Sequence, residues 1–511
     1  MKKIFKLLLV FSSALFVSCD EGLLEPFTPG AQTEDVAIRK TSDLQKLMNS
    51  AYANLTNRED MVFTSVFTDE AGIGFANGGQ GTTTDFVFFL NASSTAPNSI
   101  WTSSYFTLSR ANRVIKFADI IVPVDAVDAQ LIARLKAEAL TVRALCHIKI
   151  MSYFSPNPKD DNQLAGILAD RVIESSETNL LRVTNGQFYS LIHSDLNQAL
   201  TIFNGLSLPA ANLYPNVTFY PNKNLAKALK ARAYALKGDY TNAEIWADDV
   251  ITTSGINLAT AANYNNIFYT DNEAANTEVI FRLKRTLQNS SQATNLGNGW
   301  ASVNSTASGS PFYEVSRSLF NVLNATPTDV RRSTIVHPTS TIDPNYATSL
   351  DYKTTDRLVL GKYIGTAAVG SCNSDFKLVR LSEMYFIKAE ARTAAGDLTG
   401  AANAIKSVLD KRFPTAQTAP VYASPTDAWK GILNQRRVEF AFEGYRFIDL
   451  KRLGTLAGVG IDRDPADYSS SSINFPGGNP ANLPLTSYKF ALPIPQNELN
   501  ANSSIQQNAG Y

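Results

Sequence analysis

LAKALKARAYALKGDYTNAEIWADDVI (225–251) and LSEMYFIKAEARTAAGDLTGAANAIKSVL (381–409) read alike. Each is a helix rich in small residues, a Gly-Asp turn and a second helix. Ala231, Gly238, Asp239 and Ala243 match Ala389, Gly396, Asp397 and Ala401 in spacing. Alanines on facing helices let two backbones approach closely, the glycine ends the first helix, and the aspartate caps the second. This is a tetratricopeptide-like hairpin, although other material separates the copies and the match to a strict repeat is loose.

The same periodicity recurs on both sides. FYSLIHSDLNQALTIF (188–203) places Phe188, Leu191, Ile192, Leu196, Ala199, Leu200 and Phe203 on one stripe, and further helical stretches are expected at 42–56, 129–153 and 426–453. Between them lie GIGFANGGQGTTTDFVFF (72–89), LQNSSQATNLGNGWASVNSTASGSPFY (287–313) and YSSSSINFPGGNPAN (468–482), rich in Gly, Asn, Ser and Thr with isolated aromatics. Loops of that length in a compact domain are often functional. Strand signals are thin, at VIFRLKR (279–285) and VLGKYI (359–364). The expected fold is mainly α: helical hairpins forming a scaffold, with loop-rich insertions near 60–100, 255–375 and 455–490 and a few short strands.

The 511 residues carry 46 basic and 46 acidic side chains, and 10% are aromatic, which argues against a nucleic-acid binder and against a disordered chain. His147, His193 and His337 are the only histidines, too few for a multi-histidine metal site or a His-based catalytic centre. His147 and His193 fall in amphipathic helical stretches and read as structural.

The informative cysteine is Cys19. It follows a basic start (Lys2, Lys3, Lys6) and an apolar run from Leu7 to Val17, too short to span a bilayer but suited to a secretory signal. Phe16-Val17-Ser18 before it resembles a bacterial lipobox, with Phe16 where Leu is commoner. Residues 1–18 are therefore expected to be a lipoprotein signal peptide, Cys19 the lipidated residue, and 19–511 a single domain. The acyl chains would be the sole membrane attachment. Cys146 reads as a small buried hydrophobe and Cys372 as a tolerated loop thiol.

Four segments together resemble the SusD/RagB family of nutrient-binding lipoproteins of Bacteroidetes. AEALTVRALCHIKIMSYF carries Glu138, Ala139, Arg143 and Ala144 at matching positions, and VRLSEMYFIKAEARTAAGDLTGA carries Arg380, Glu383, Met384, Tyr385, Ala389, Glu390 and Ala391. QRRVEFAFEGYRFIDLKRLG supplies Arg436, Arg437, Glu439, Phe442, Glu443, Gly444, Arg446, Asp449, Leu450 and Arg452, with Gln435 where glutamate is usual. The ending LPIPQNELNANSSIQQNAGY is close to the family's. The resemblance implies a SusD-like protein at the outer membrane, facing the cell exterior, whose helical face rests on a SusC-like TonB-dependent barrel. Its loops would capture a glycan. Acidic Asp20 and Glu21 after the lipobox resemble a surface-export signal. An oligopeptide-binding member of the same family and a secreted helical glycoside hydrolase are the alternatives.

The resemblance implies a binder and no enzyme, with neither cofactor nor metal. Glu439 and Glu443, four apart on an expected helix with Arg436 and Arg446 in reach, read as salt-bridge partners, because arginines keep carboxylates ionised and unsuited to general-acid work. No phosphate loop, GxSxG elbow or HExxH is present. The family motifs do not fix the ligand site, so it is read from the loops. Trp101, Trp246 and Trp429 sit in or beside helical patterns and are expected to pack. Trp300, in NLGNGWASVNS, is expected to be an exposed stacking platform, with Phe75, Asn77 and Tyr313 as helpers and Asp69 as a polar contact.

Overall fold

The computed structural model describes residues 34–55, 58–74, 84–174, 176–207, 217–269, 278–285, 300, 312–343, 356–363, 374–464, 467, 469–470, 473–474 and 480–511. Cys19, Phe75, Asn77 and Cys372 lie outside them.

Fourteen helices of six residues or more build most of what packs among the described residues: α1 (Thr41–Asn54), α2 (Arg58–Phe67), α3 (Thr95–Ala118), α4 (Ala126–Phe154), α5 (Asn185–Gly205), α6 (Lys223–Lys237), α7 (Tyr240–Thr253), α8 (Arg317–Asn324), α9 (Val330–Ile335), α10 (Leu381–Ala394), α11 (Leu398–Leu409), α12 (Pro425–Glu439), α13 (Arg446–Ala457) and α14 (Gln496–Ala501), the last just before the C-terminus. They form a continuous array in which α1 packs on α3, α3 on α4, α4 on α5, α5 on α6, α6 on α7, α7 on α10, and α10 on α11 and α12. One hydrophobic core runs from Leu44 to Ile505.

The two hairpins that look alike in sequence close alike. Gly238 (φ +83°) and Gly396 (φ +80°) take the left-handed conformation that glycine adopts without steric cost. Asp239 N–H and Asp397 N–H return to the carbonyls of Tyr234 and Arg392, both at 2.9 Å. Asp239 then accepts from Asn242 N–H (3.2 Å) and Asp397 from Gly400 N–H (2.7 Å), capping α7 and α11. Ala231, Ala243, Ala389 and Ala401 are all fully buried. A Cβ on Gly400 would lie 2.1 Å from the Asp397 carboxylate, so the cap also fixes that glycine.

α4 is buried on every side along its second half, as a helix apolar all round must be. Its polar groups are consequently paired: Arg143 grips Asp195 of α5 at 2.6 and 2.8 Å, and Glu138 accepts from Arg134 (2.7 Å) and Tyr52 of α1 (2.5 Å). His147 donates through Nδ1 to the Arg143 carbonyl (2.9 Å) and accepts at Nε2 from Ala169 N–H (3.3 Å). Burial drives its pKa down to about 3, so it is a neutral, satisfied core residue. Cys146 is buried beside it.

The strands are short: β1 (Ala71–Ile73), β2 (Leu164–Ile167), β3 (Arg182–Thr184), β4 (Val279–Leu283), β5 (Tyr313–Val315) and β6 (Phe376–Arg380) form antiparallel pairs β1–β5, β2–β3 and β4–β6. The strand expected at 279–285 is β4. The one expected at 359–364 is not formed among the described residues of that stretch, where Leu360 makes only an isolated bridge to Val336. The C-terminus is clasped. Asn508 donates to the carbonyls of Phe154 (2.8 Å) and Leu492 (2.7 Å), and the Tyr511 hydroxyl to that of Ala491 (3.1 Å).

The helical stretch expected over 426–453 breaks in two. α12 ends at Glu439, Phe442 (φ +62°) and Gly444 (φ +86°) turn the chain, and α13 starts at Arg446. Glu439 and Glu443 therefore do not share a helix.

Each aspartate cap is expected to contribute about 1 kcal/mol. Asp239→Ala and Asp397→Ala should lower the urea midpoint by similar amounts and add in the double variant, since the two turns belong to separate hairpins.

Candidate binding site

The break after α12 leaves backbone carbonyls without helical partners in the interior, and buried cations take them. Lys362 Nζ donates to the carbonyls of Glu439 (3.0 Å) and Ala441 (3.1 Å) and to the Glu443 carboxylate (2.8 Å). Arg380 reaches Glu443 (2.8 Å), Glu439 (2.8 Å) and Glu278 (2.6 Å), while Arg412 holds Glu278 (2.9 Å) and Glu439 (2.8 Å). Arg331 completes the cluster on Asp329 (2.6 Å) and Glu439 (3.4 Å). Four cations face four carboxylates, all buried. Burial pushes the Glu439 carboxyl up, but Arg412 and Arg380 outweigh it and hold the group far below the carboxylate range.

Both glutamates are thus salt-bridge partners, though with other arginines than expected. Arg436 pairs with Asp449 (2.8 Å) and Arg446, beyond the break in the helix, with Asp69 (2.7 Å). Gln435 accepts from Arg331 (3.0 Å), a cation that already faces two carboxylates, so a neutral acceptor suffices there.

The insertions leave from a second assembly. β1 pairs with β5, Gly74 N–H bonds the Phe312 carbonyl (2.8 Å), and Val315 N–H bonds the Leu358 carbonyl (2.9 Å). The stretches 75–83, 301–311, 344–355 and 364–373 begin or end within a few residues of this ribbon and of the Leu358–Tyr363 segment bonded to it.

Two arginines fix the chain that leads from α2 into the ribbon. Arg446 grips both oxygens of Asp69 at 2.7 Å. Arg463 caps the end of α2, donating to the carbonyls of Val66 (2.9 Å), Phe67 (3.1 Å) and Thr68 (2.9 Å), with the rings of Phe86 and Phe88 centred 4.2 and 4.3 Å from its guanidinium.

This geometry corrects two expected ligand contacts. Trp300 is 1% exposed and is no open platform: its Nε1 donates to Ser65 Oγ (2.7 Å), its ring stacks on Tyr363 (centroids 6.4 Å) and meets Phe442 edge-on (5.5 Å). The glycines and amides around it in sequence gave no sign of these partners, which come from distant segments. Asp69 is likewise buried. Burial raises its carboxyl, Arg437 and Arg446 outweigh that, and the ionised group braces the ribbon instead of meeting a ligand.

Tyr313 is half-buried opposite Ile73, with its phenol pushed up to about 12 by burial, and its N–H bonds the Trp300 carbonyl (3.1 Å). Asp69, Trp300 and Tyr313 do converge, at the β1–β5 ribbon and the end of α2. Of the other tryptophans, Trp101 lies inside α3 and donates to Glu498 (3.1 Å), Trp429 is buried, and Trp246 is half-buried under Lys230 Nζ (3.7 Å). Sequence reasoning missed Arg463 altogether. An isolated loop arginine carries no signal when its partners lie in another part of the chain.

A cavity of about 90 Å³ between α4, α6, α10 and α13 is far below the ~300 Å³ at which ligand pockets begin. Its charged lining is internally paired, as in Lys149–Asp60 (2.9 Å) and Arg232–Glu383 (2.6 Å). Among the described residues no group of three or more His, Cys, Asp or Glu side chains is arranged to hold a metal, and no helix is long and apolar enough to cross a membrane.

Two variants test these assignments. Glu439→Gln strips a carboxylate from three buried arginines and should cost about 3–5 kcal/mol in denaturant titration, with ligand affinity of the folded protein unchanged. Glu70, beside Asp69, is buried and its pKa is raised to about 8, mainly by desolvation. Its folded state holds the proton more tightly than the unfolded chain, so its contribution to stability falls as pH rises from about 4.5 to about 8. Glu70→Gln should therefore gain stability relative to the parent at pH 9 and little at pH 5.

The chain matches known proteins along most of its length. The model of the SusD family matches residues 330–511, and a SusD-like model described as starch-binding, associating with the outer membrane, matches 29–235. No curated protein matches the chain significantly. Among solved structures, a SusD superfamily protein from Bacteroides thetaiotaomicron VPI-5482 superimposes with a TM-score of 0.73 at 23% identity, covering 92% of this chain and 99% of that one. A putative sugar binding protein from Bacteroides vulgatus ATCC 8482 gives 0.72 at 22% identity over 93% and 99%. A laminarin binding SusD-like protein gives 0.65 at 19% over 93% and 100%. These likenesses show the shared fold, and together with the two family matches they make the chain a SusD-like protein.

Proposed function

We propose that this protein is a cell-surface lipoprotein, anchored through Cys19, that binds a glycan with the loops around the β1–β5 ribbon and passes it to a SusC-like TonB-dependent barrel docked against the helical array. The observation that carries this reading is the division of labour in the chain. Helices pack into one continuous array, while amide-rich and aromatic insertions begin and end at a ribbon braced by Arg446 and Arg463. Asn and Gln amides suit sugar hydroxyls, and an aromatic ring suits the apolar face of a sugar. Laminarin binding by a structural relative favours a glycan over an oligopeptide.

With Trp300 and Asp69 assigned to the support, the contacts proposed are Phe75 and Asn77, with Tyr313 on the strand paired with the one that leads into their loop. Binding of this kind requires no bond to break.

Calorimetry of the chain against soluble β-glucans, starch and mixed peptides tests the reading. A glycan should give a saturable heat while the polymer stays intact. Phe75→Ala should weaken it by about 1 kcal/mol, the value of covering ~50 Å² of ring, with the melting temperature unchanged. Release of reducing ends would indicate a hydrolase, and heat with peptides alone would indicate the oligopeptide reading.

A further inference from the structure

The turn between α3 and α4, DIIVPVDAV (119–127), is aliphatic and points into solvent. Ile120 is 57% exposed, Val122 84%, Val124 87% and Val127 49%, and Pro123 is also exposed. Single exposed aliphatics need no explanation, but four within eight residues around one turn do.

The tip is rigid. Ile120 and Ile121 N–H both bond the Phe117 carbonyl (3.1 and 3.0 Å), and Val124 N–H donates to Asp128 Oδ2 (3.0 Å). Asp125 caps α4 by accepting from Asp128 N–H (2.8 Å), and Pro123 has no N–H at all. The N–H groups of Ile120, Ile121 and Val124 would therefore enter an apolar medium already bonded.

The tip also lies beside the point where the N-terminal segment joins the body. Glu34 is paired with Arg113 of α3 at 2.5 Å, about 10 Å along the helix from Ile120. The chain between Cys19 and Glu34 reaches at most ~50 Å. A lipid on Cys19 thus leaves the turn within reach of the membrane surface.

We propose that the α3–α4 turn is a second membrane contact, in which Ile120, Val122, Val124 and Val127 enter the interface of the bilayer that holds the Cys19 lipid. The inference rests on the anchoring reading above. The tip's chemistry fits lipid better than protein: it is a narrow aliphatic protrusion without the Trp, Tyr or Arg that dominate protein interfaces. Asp119 at its flank is paired with Lys136 (2.6 Å) while Asp125 and Asp128 cap α4, so the turn carries no basic excess for an anionic surface and suits a zwitterionic one. Lipid anchoring by one group is reinforced when a second apolar element inserts, and the turn would also fix the tilt of the body over the membrane.

The full-length acylated protein in vesicles of phosphatidylcholine and phosphatidylethanolamine tests this. A polarity-sensitive dye is placed at Val124→Cys in a Cys372→Ser background, Cys146 being buried, with a control dye at the fully exposed Val421→Cys. The dye at 124 should shift to the blue and be quenched by headgroup-nitroxide lipid, while the dye at 421 should not. Adding Val122→Asp, a change in full solvent exposure, should abolish both effects while the protein still floats with the vesicles. Equal, aqueous emission at 124 and 421 on floating vesicles would overturn the membrane contact and leave the anchor standing. Protection of 124 only after the barrel partner is added would overturn it in favour of a protein interface. Failure of the protein to float would overturn the anchoring reading and this inference with it.

Discussion

A carboxylate removed from water must meet cations or lose its charge, and Glu439 meets three of them. Arg380, Arg412 and Arg331 come from a strand, from the end of α11 and from α9, so the charge of one glutamate fixes the relative positions of elements that are far apart in sequence. Arg380 also holds Glu278 and Glu443, and Arg412 shares Glu278. No element can shift without leaving a buried charge uncompensated. The helix break after Glu439 is tolerable for the same reason: the carbonyls it frees are taken by Arg380 and Lys362.

From that centre the molecule divides into parts governed by different forces. The helical array is packed largely through apolar, alanine-lined surfaces, with glycine turns and aspartate caps setting the register of the α6–α7 and α10–α11 hairpins. The ribbon side is held by directed polar contacts. Arg446 crosses to Asp69, Arg463 covers the open end of α2, and Trp300 seals the gap between Tyr363 and Phe442. Loops that vary with the ligand can be attached to a ribbon whose geometry does not depend on them.

The scaffold was largely legible in the sequence. Ala231 and Ala389, Gly238 and Gly396, Asp239 and Asp397 occupy equivalent places in their hairpins because small size, positive φ and capping are local properties of residue types. The candidate site was much less so. Trp300 looked exposed because its neighbours in sequence are glycines and amides, and it is buried because Ser65, Tyr363 and Phe442 come to it from elsewhere. Asp69 looked like a free polar contact until Arg446, far along the chain, closed on it.

By itself the sequence determined what depends on a few consecutive residues: helix periodicity, turns and caps, the basic and apolar start that precedes Cys19, and the motif residues that mark the family. It also determined that Glu439 and Glu443 would be ion-paired, since the arginines around them leave carboxylates little else to do. Only the tertiary structure decided which arginine each carboxylate meets, where the helix breaks, and whether a ring faces solvent or the core. Those outcomes depend on the competition between desolvation and pairing among groups that become neighbours only when the chain has folded, and nothing in the spacing of residues along the chain records it.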